Sequence, residues 1–116
     1  MASARKFCET SYVRAQRDEA FRRALLAAVV DAYFDGDELL GKTILRAMID
    51  ATIGFEQLAA DVGMPGQSLQ RMLAPRGSLN TATFFAILRS LQKRLGVTLT
   101  VRTEGCAELL RPGRSV

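Results

Sequence analysis

The sequence predicts a mainly α protein: five to six helices built on a helix-turn-helix and closed by one short C-terminal β-strand. Three observations predict it. Residues 55–74, FEQLAADVGMPGQSLQRMLA, hold two short amphipathic patterns hinged at Gly63. Three longer stretches, 12–34, 38–53 and 81–95, repeat apolar residues at helical spacing. Val97 to Arg102 alone alternates strongly with period two and is rich in β-branched residues.

In chain order, residues 1–10 carry Ser, Arg, Lys and Thr without periodicity and read as a flexible tail. From Tyr12 to Phe34, Val13, Phe21, Leu25, Ala28, Val29 and Ala32 form one stripe opposite Arg14, Arg17, Asp18, Arg22 and Arg23. This is one helix or two, with Asp18 placed to cap a second start. Asp35-Gly36-Asp37 ends it and caps the next helix, Glu38 to about Ile53. There the expected inward stripe is Leu40, Ile44, Ala47, Met48 and Ala51, and the helix is expected to pack across the back of the motif. Thr52-Ile53-Gly54 breaks it.

The motif follows. Leu58, Ala59 and Val62 line one side of its first helix. Gly63 comes where a sharp turn needs a residue that tolerates positive φ. Pro65 suits the first position of a new helix, since its missing N–H has no helical acceptor there. The second helix turns Leu69, Met72 and Leu73 inward and Gly66, Gln67, Ser68, Gln70 and Arg71 outward; Pro75 and Gly77 end it. Two short helices at a steep angle about a glycine turn make a helix-turn-helix. The alternative is an αα-hairpin inside some other helical protein.

Asn80 or Thr81 caps a last helix with the stripe Phe84, Ile87, Leu88, Leu91 and Leu95. Lys93 and Arg94 suit its C-terminal dipole and Gly96 its C′ position. A lone strand over Val97, Thr98, Leu99, Thr100 and Val101 leaves its backbone groups without partners. The economical partner is the same strand of a second copy, giving a two-fold dimer; the alternative is an extended tail lying on the domain. Residues 103–116 read as a second flexible tail, so 11–102 form the one expected domain.

Composition bounds the function. The 116 residues hold 48% hydrophobic and 7% aromatic side chains, which suits a modest aliphatic core. No run of 18 apolar residues occurs and the N-terminus has no apolar signal core, so no membrane span is expected and the cytoplasm is the expected location. Cys8 and Cys106 stand alone, with no CxxC and no histidine, so neither a metal nor a cofactor is expected. Two free thiols fit a reducing cytosol, with a disulfide between the tails as the alternative. The net charge of +4 is unevenly spread. Residues 1–61 hold ten acids against eight bases, whereas 62–103 hold no acid but Arg71, Arg76, Arg89, Lys93, Arg94 and Arg102. A surface free of negative charge is what a polyanionic partner requires. Without histidine, GxSxG, Walker loop or GxGxxG, the chain is not expected to be an enzyme. The carboxylates Asp35, Asp37 and Glu38 are explained by helix capping.

These residues support a family resemblance. Gly36-Asp37 before a helix, Leu58-Ala59, the Gly63 to Leu69 segment, the loop from Ala74 to Leu79 and the closing Leu95 to Leu99 resemble the addiction-module antidote proteins. Those are small helix-turn-helix antitoxins of the lambda-repressor-like, or XRE, superfamily. The resemblance covers about 34–101. It departs at Ser78-Leu79, where the family has Asn-Pro, at Gly66, where a polar residue is usual, and at Phe55, where related repressors often present a polar group. It implies a lambda-repressor-like fold and a repressor of its own promoter. It further implies a RelE- or ParE-like toxin as partner, that is, a type II toxin–antitoxin module.

In the usual docking of this motif on double-stranded operator DNA, the N-terminal half of the second helix faces base edges. Gln67 then matches adenine and Arg71 guanine O6 and N7, while Ser68 and Gln70 reach a base or a phosphate. Arg76, and Asn80, Thr81 and Thr83 at the next helix start, are expected at phosphates. Two other readings stay open. One is a protein-binding adaptor that uses the helices only for packing; the other is a stand-alone or mobile-element repressor without a toxin.

Overall fold

The computed structural model describes residues 18–105. Five helices and no strand occur among them: α1 (Glu19–Phe34), α2 (Glu38–Ala51), α3 (Phe55–Val62), α4 (Gly66–Leu73) and α5 (Thr81–Leu95). The expected N-terminal tail, the helical stretch 12–17 with Val13, Arg14 and Arg17, and both cysteines lie outside the described residues.

Each boundary has a local cause. Asp18 caps α1, its Oδ1 accepting the Phe21 N–H at 3.1 Å. Asp37 does the same for α2 through Leu40 N–H at 3.1 Å, and Asn80 for α5 through Thr83 N–H at 2.8 Å. Such caps satisfy N–H groups that have no acceptor in the first turn. Between α3 and α4 the chain reverses at Gly63, which has φ 75° and donates its N–H to Ala59 O at 2.9 Å. An L-residue is disfavoured in that left-handed conformation. Pro65 is the N-cap of α4 rather than its first residue, so the helix begins one position later, at Gly66.

One core joins all five helices: Leu26 and Val29 of α1, Leu45, Met48 and Ile49 of α2, Leu58 and Ala59 of α3, Leu69 and Leu73 of α4, and Ile87, Leu88 and Leu91 of α5. α1 lies along α2, α2 touches both α3 and α4, and α3 also rests on α5. The expectation that the second helix backs the motif therefore holds. Tyr33 crosses over Gly41, at whose Cβ position an added carbon would lie 2.5 Å from the ring, and stacks tilted on Phe84 at 4.4 Å.

Two expectations are corrected. The inward stripe of α2 is Gly41, Lys42, Leu45, Met48, Ile49 and Ala51; Leu40 is 47% exposed and Ala47 is exposed. The buried arc is turned about one residue from the predicted one, because α2 is covered from two directions, by α1 and by the motif helices.

The second correction is the strand. Residues 97–102 belong to no helix and to no strand ladder among the described residues. Val97 is 8% exposed within the core and Leu99 packs against it, while Thr98, Thr100 and Val101 face out. Gln92 latches the segment: its backbone carbonyl accepts Val97 N–H at 3.1 Å and its Oε1 accepts Leu99 N–H at 2.8 Å. Within the chain the alternation puts Val97 and Leu99 on the core and leaves Thr98, Thr100 and Val101 outward. No helix among the described residues is long and apolar enough to cross a membrane.

Candidate nucleic-acid interface

α4 is short and strongly two-sided. Leu69 and Leu73 are fully buried and Met72 half-buried, which anchors one face. Gln67, Gln70 and Arg71, at i, i+3 and i+4, are exposed on the other, and Ser68 is half-buried at its edge. None of these four side chains has a hydrogen-bond partner among the described residues. The helix also lacks a side-chain cap: its first intrahelical bond is Leu69 N–H to Pro65 O at 3.1 Å. The N–H groups of Gly66, Gln67 and Ser68 thus have no helical acceptor, and they lie at the positive end of the helix dipole.

Gly66 has open space where a Cβ would stand. The fold does not demand glycine there, and glycine costs about 1 kcal/mol relative to alanine within a helix.

The expected phosphate-contacting residues divide. Arg76, in the loop after α4, is exposed and unpaired among the described residues, and Asn80 and Thr81 are exposed at the start of α5. Thr83 does not qualify. It is 8% exposed, and its N–H is already taken by Asn80 Oδ1, because the first turn of α5 closes its own cap. Phe55, where a polar group was absent, packs instead against the core.

The acid-free stretch is less basic on the surface than its sequence suggests. Arg94 makes a bidentate pair with Asp61, with Nε to Oδ2 and Nη2 to Oδ1 both at 2.9 Å. Ser90 Oγ donates to Oδ2 at 2.7 Å and Gln57 Nε2 to Oδ1 at 3.0 Å. These donors, Arg94 first, then Ser90, hold the Asp61 carboxyl well below the usual carboxylate range; Asp61 in turn raises Arg94. Arg102 pairs with Glu104. Arg71, Arg76, Arg89 and Lys93 are then the cations of 62–103 that make no ion pair among the described residues.

Two features of the site lay beyond the sequence reading. One is the Asp61 cluster, which ties α3 to α5; its only hint was that Asp61 is the last acid before the basic half. The other is Lys42, 4% exposed, whose Nζ donates to Gly77 O at 2.8 Å, Ala74 O at 3.1 Å and Pro75 O at 3.3 Å. Its spacing from Leu45 and Ile49 was the available signal. No family model, no curated protein and no solved structure matches this chain. The resemblance to the antidote family therefore rests on the motifs quoted for it.

Proposed function

We propose that the protein is a sequence-specific DNA-binding regulator that reads base edges through α4. On its resemblance, it is the antitoxin of a type II module that represses its own operon and neutralises a RelE- or ParE-like toxin. The observation that carries the DNA reading is the outer face of α4. Gln67, Gln70 and Arg71 stand there without protein partners, over a buried Leu69–Leu73 face that fixes the helix on its neighbours.

In that reading α4 enters the major groove by its uncapped N-terminal end. Gln67 pairs with adenine N6 and N7, and Arg71 forks onto guanine O6 and N7. Arg76, Asn80 and Thr81 hold phosphates beside it, which sets register but carries no base information. Two copies would place their α4 helices about 34 Å apart, one turn of DNA. The dimer is proposed on that two-fold logic, with residues 97–101 of the two copies as its candidate seam.

The test is binding to the protein's own upstream DNA against random DNA at two salt concentrations, with Arg71→Ala in parallel. Preference for upstream DNA that disappears in Arg71→Ala supports the reading. Equal, weak binding to both DNAs would sink it. A second reading, an adaptor that binds a protein partner, is favoured by the exposed aromatics Phe34 and Phe85, 72% and 60% exposed. Salt-indifferent binding to a protein, without any DNA preference, would support that reading. Whether a toxin belongs to the system is decided by the identity of the adjacent open reading frame.

A further inference from the structure

Lys42 is the only charged side chain in the buried class among the described residues. An ammonium has three donors, and here all three have acceptors, the carbonyls of Ala74, Pro75 and Gly77. Those carbonyls belong to the C-cap of α4 and the loop beyond it, where the helix dipole is negative. The loop is also pressed from the other side. At Gly77 an added Cβ would lie 2.0 Å from Arg71 O and 2.7 Å from Met72 O, so the chain returns directly onto the last turn of α4. Gly77 and Lys42 grip one short segment, and Arg76 sits inside it. At its other end α4 has no side-chain cap.

Desolvating a lysine is expensive, and an apolar residue of similar volume often serves stability as well or better. What the ammonium adds is direction: three charge-assisted bonds that define where the end of α4 stands relative to α2. We propose that Lys42 is a positioning residue. Through the three carbonyls it sets the axis of α4 and the place of Arg76, and so sets how faithfully the outer face of α4 matches a base sequence. Lys42 does not touch the DNA. The specificity part of this rests on the DNA-reading function; the positioning part does not.

The experiment uses the full chain and two readouts. Lys42→Met keeps the stem and removes the donors; Lys42→Arg keeps charge and donors. Amide hydrogen exchange without DNA is followed residue by residue, and affinity is measured for upstream and random DNA at one salt concentration. In Lys42→Met, exchange through 66–77 should quicken about tenfold relative to the central amides of α5. The upstream-to-random affinity ratio should fall roughly tenfold or more, the scale of one lost base contact. Random-DNA affinity should stay within about threefold, because sequence-independent binding follows the exposed cations. Lys42→Arg should recover most of both effects.

Exchange that rises uniformly along the chain, or that leaves 66–77 unchanged, overturns the positioning role. Localised loosening with an unchanged affinity ratio overturns the specificity role. If the unmodified protein shows no upstream preference, the DNA reading has failed on its own, and the exchange pattern still decides the positioning. Should Lys42→Met not fold, Lys42→Gln, which keeps two donors without the charge, must show the same localised pattern at smaller size.

Discussion

Asp61 shows what one side chain contributes in this protein. It accepts from Arg94, Ser90 and Gln57, so its folded pKa lies below the ordinary 3.8. A depressed carboxylate pKa stabilises the folded state fully above the unfolded pKa and loses that stabilisation as the pH falls through the folded one. The melting temperature of Asp61→Asn should therefore lie below the unmodified protein's by a constant gap above about pH 5, and the gap should narrow below about pH 4. Melting curves across that range check it; a gap that widens in acid would contradict it. Gly66 offers a second test at this scale. Its Cβ position is open, so Gly66→Ala should raise stability by about 0.5–1 kcal/mol in urea unfolding. If the first turn of α4 meets the DNA backbone closely, the same variant should bind upstream DNA more weakly. Greater stability with unchanged DNA affinity would show that nothing approaches that turn.

At the scale of the element, the motif depends on how its helices start and stop. Gly63 at φ 75° gives α3 its end and α4 its departure angle. Gly63→Ala must place an L-residue in the left-handed region, and should cost about 1–2 kcal/mol in denaturant unfolding. Asn80 closes the start of α5, and Asn80→Ala should cost about 0.5–2 kcal/mol by loss of the cap. Asn80→Asp, which retains the accepting oxygen, should leave stability nearly unchanged while putting a negative charge beside the proposed phosphate path. DNA titration of that variant should show weaker binding to all sequences. The latch from Gln92 to Val97 and Leu99 belongs to this scale as well, since it gives those two N–H groups acceptors within the chain.

For the whole molecule, charge decides how far binding depends on salt. The net charge is +4, but ion pairing withdraws Arg94 and Arg102, which leaves Arg71, Arg76, Arg89 and Lys93 along 62–103. Each phosphate neutralised adds about −0.9 to the slope of log affinity against log salt. Arg76→Ala should flatten that slope by about one such unit and keep the upstream-to-random ratio. Arg94→Ala should leave the slope near its original value and lower stability instead, because its charge is already spent on Asp61. Titrations at several salt concentrations, paired with unfolding curves, distinguish the two kinds of arginine. A slope that Arg94→Ala alters as much as Arg76→Ala would mean that the Asp61 pair opens on DNA.

Much of the architecture was legible in the sequence because its causes are local. Helical spacing of apolar residues, Asp18, Asp37 and Asn80 as caps, and Gly63 and Gly96 as stops act within a few residues of where they stand, so the helices and the two-sided α4 follow from the chain itself. Which residues α4 leaves outward also follows from that spacing. The tertiary structure decided what depends on distant partners. Only the packing of α1 and the motif on both sides of α2 turns Leu45 and Ile49 inward in place of Leu40 and Ala47. The core holds Val97 and Leu99 where the sequence suggested a strand, and packing leaves Thr83 only 8% exposed. Only the fold joins Asp61 to Arg94 and Lys42 to the loop at 74–77, across 33 and 32 to 35 residues of sequence. Local periodicity reports which way a side chain faces; it carries no information about the charge or carbonyl that the fold brings to meet it.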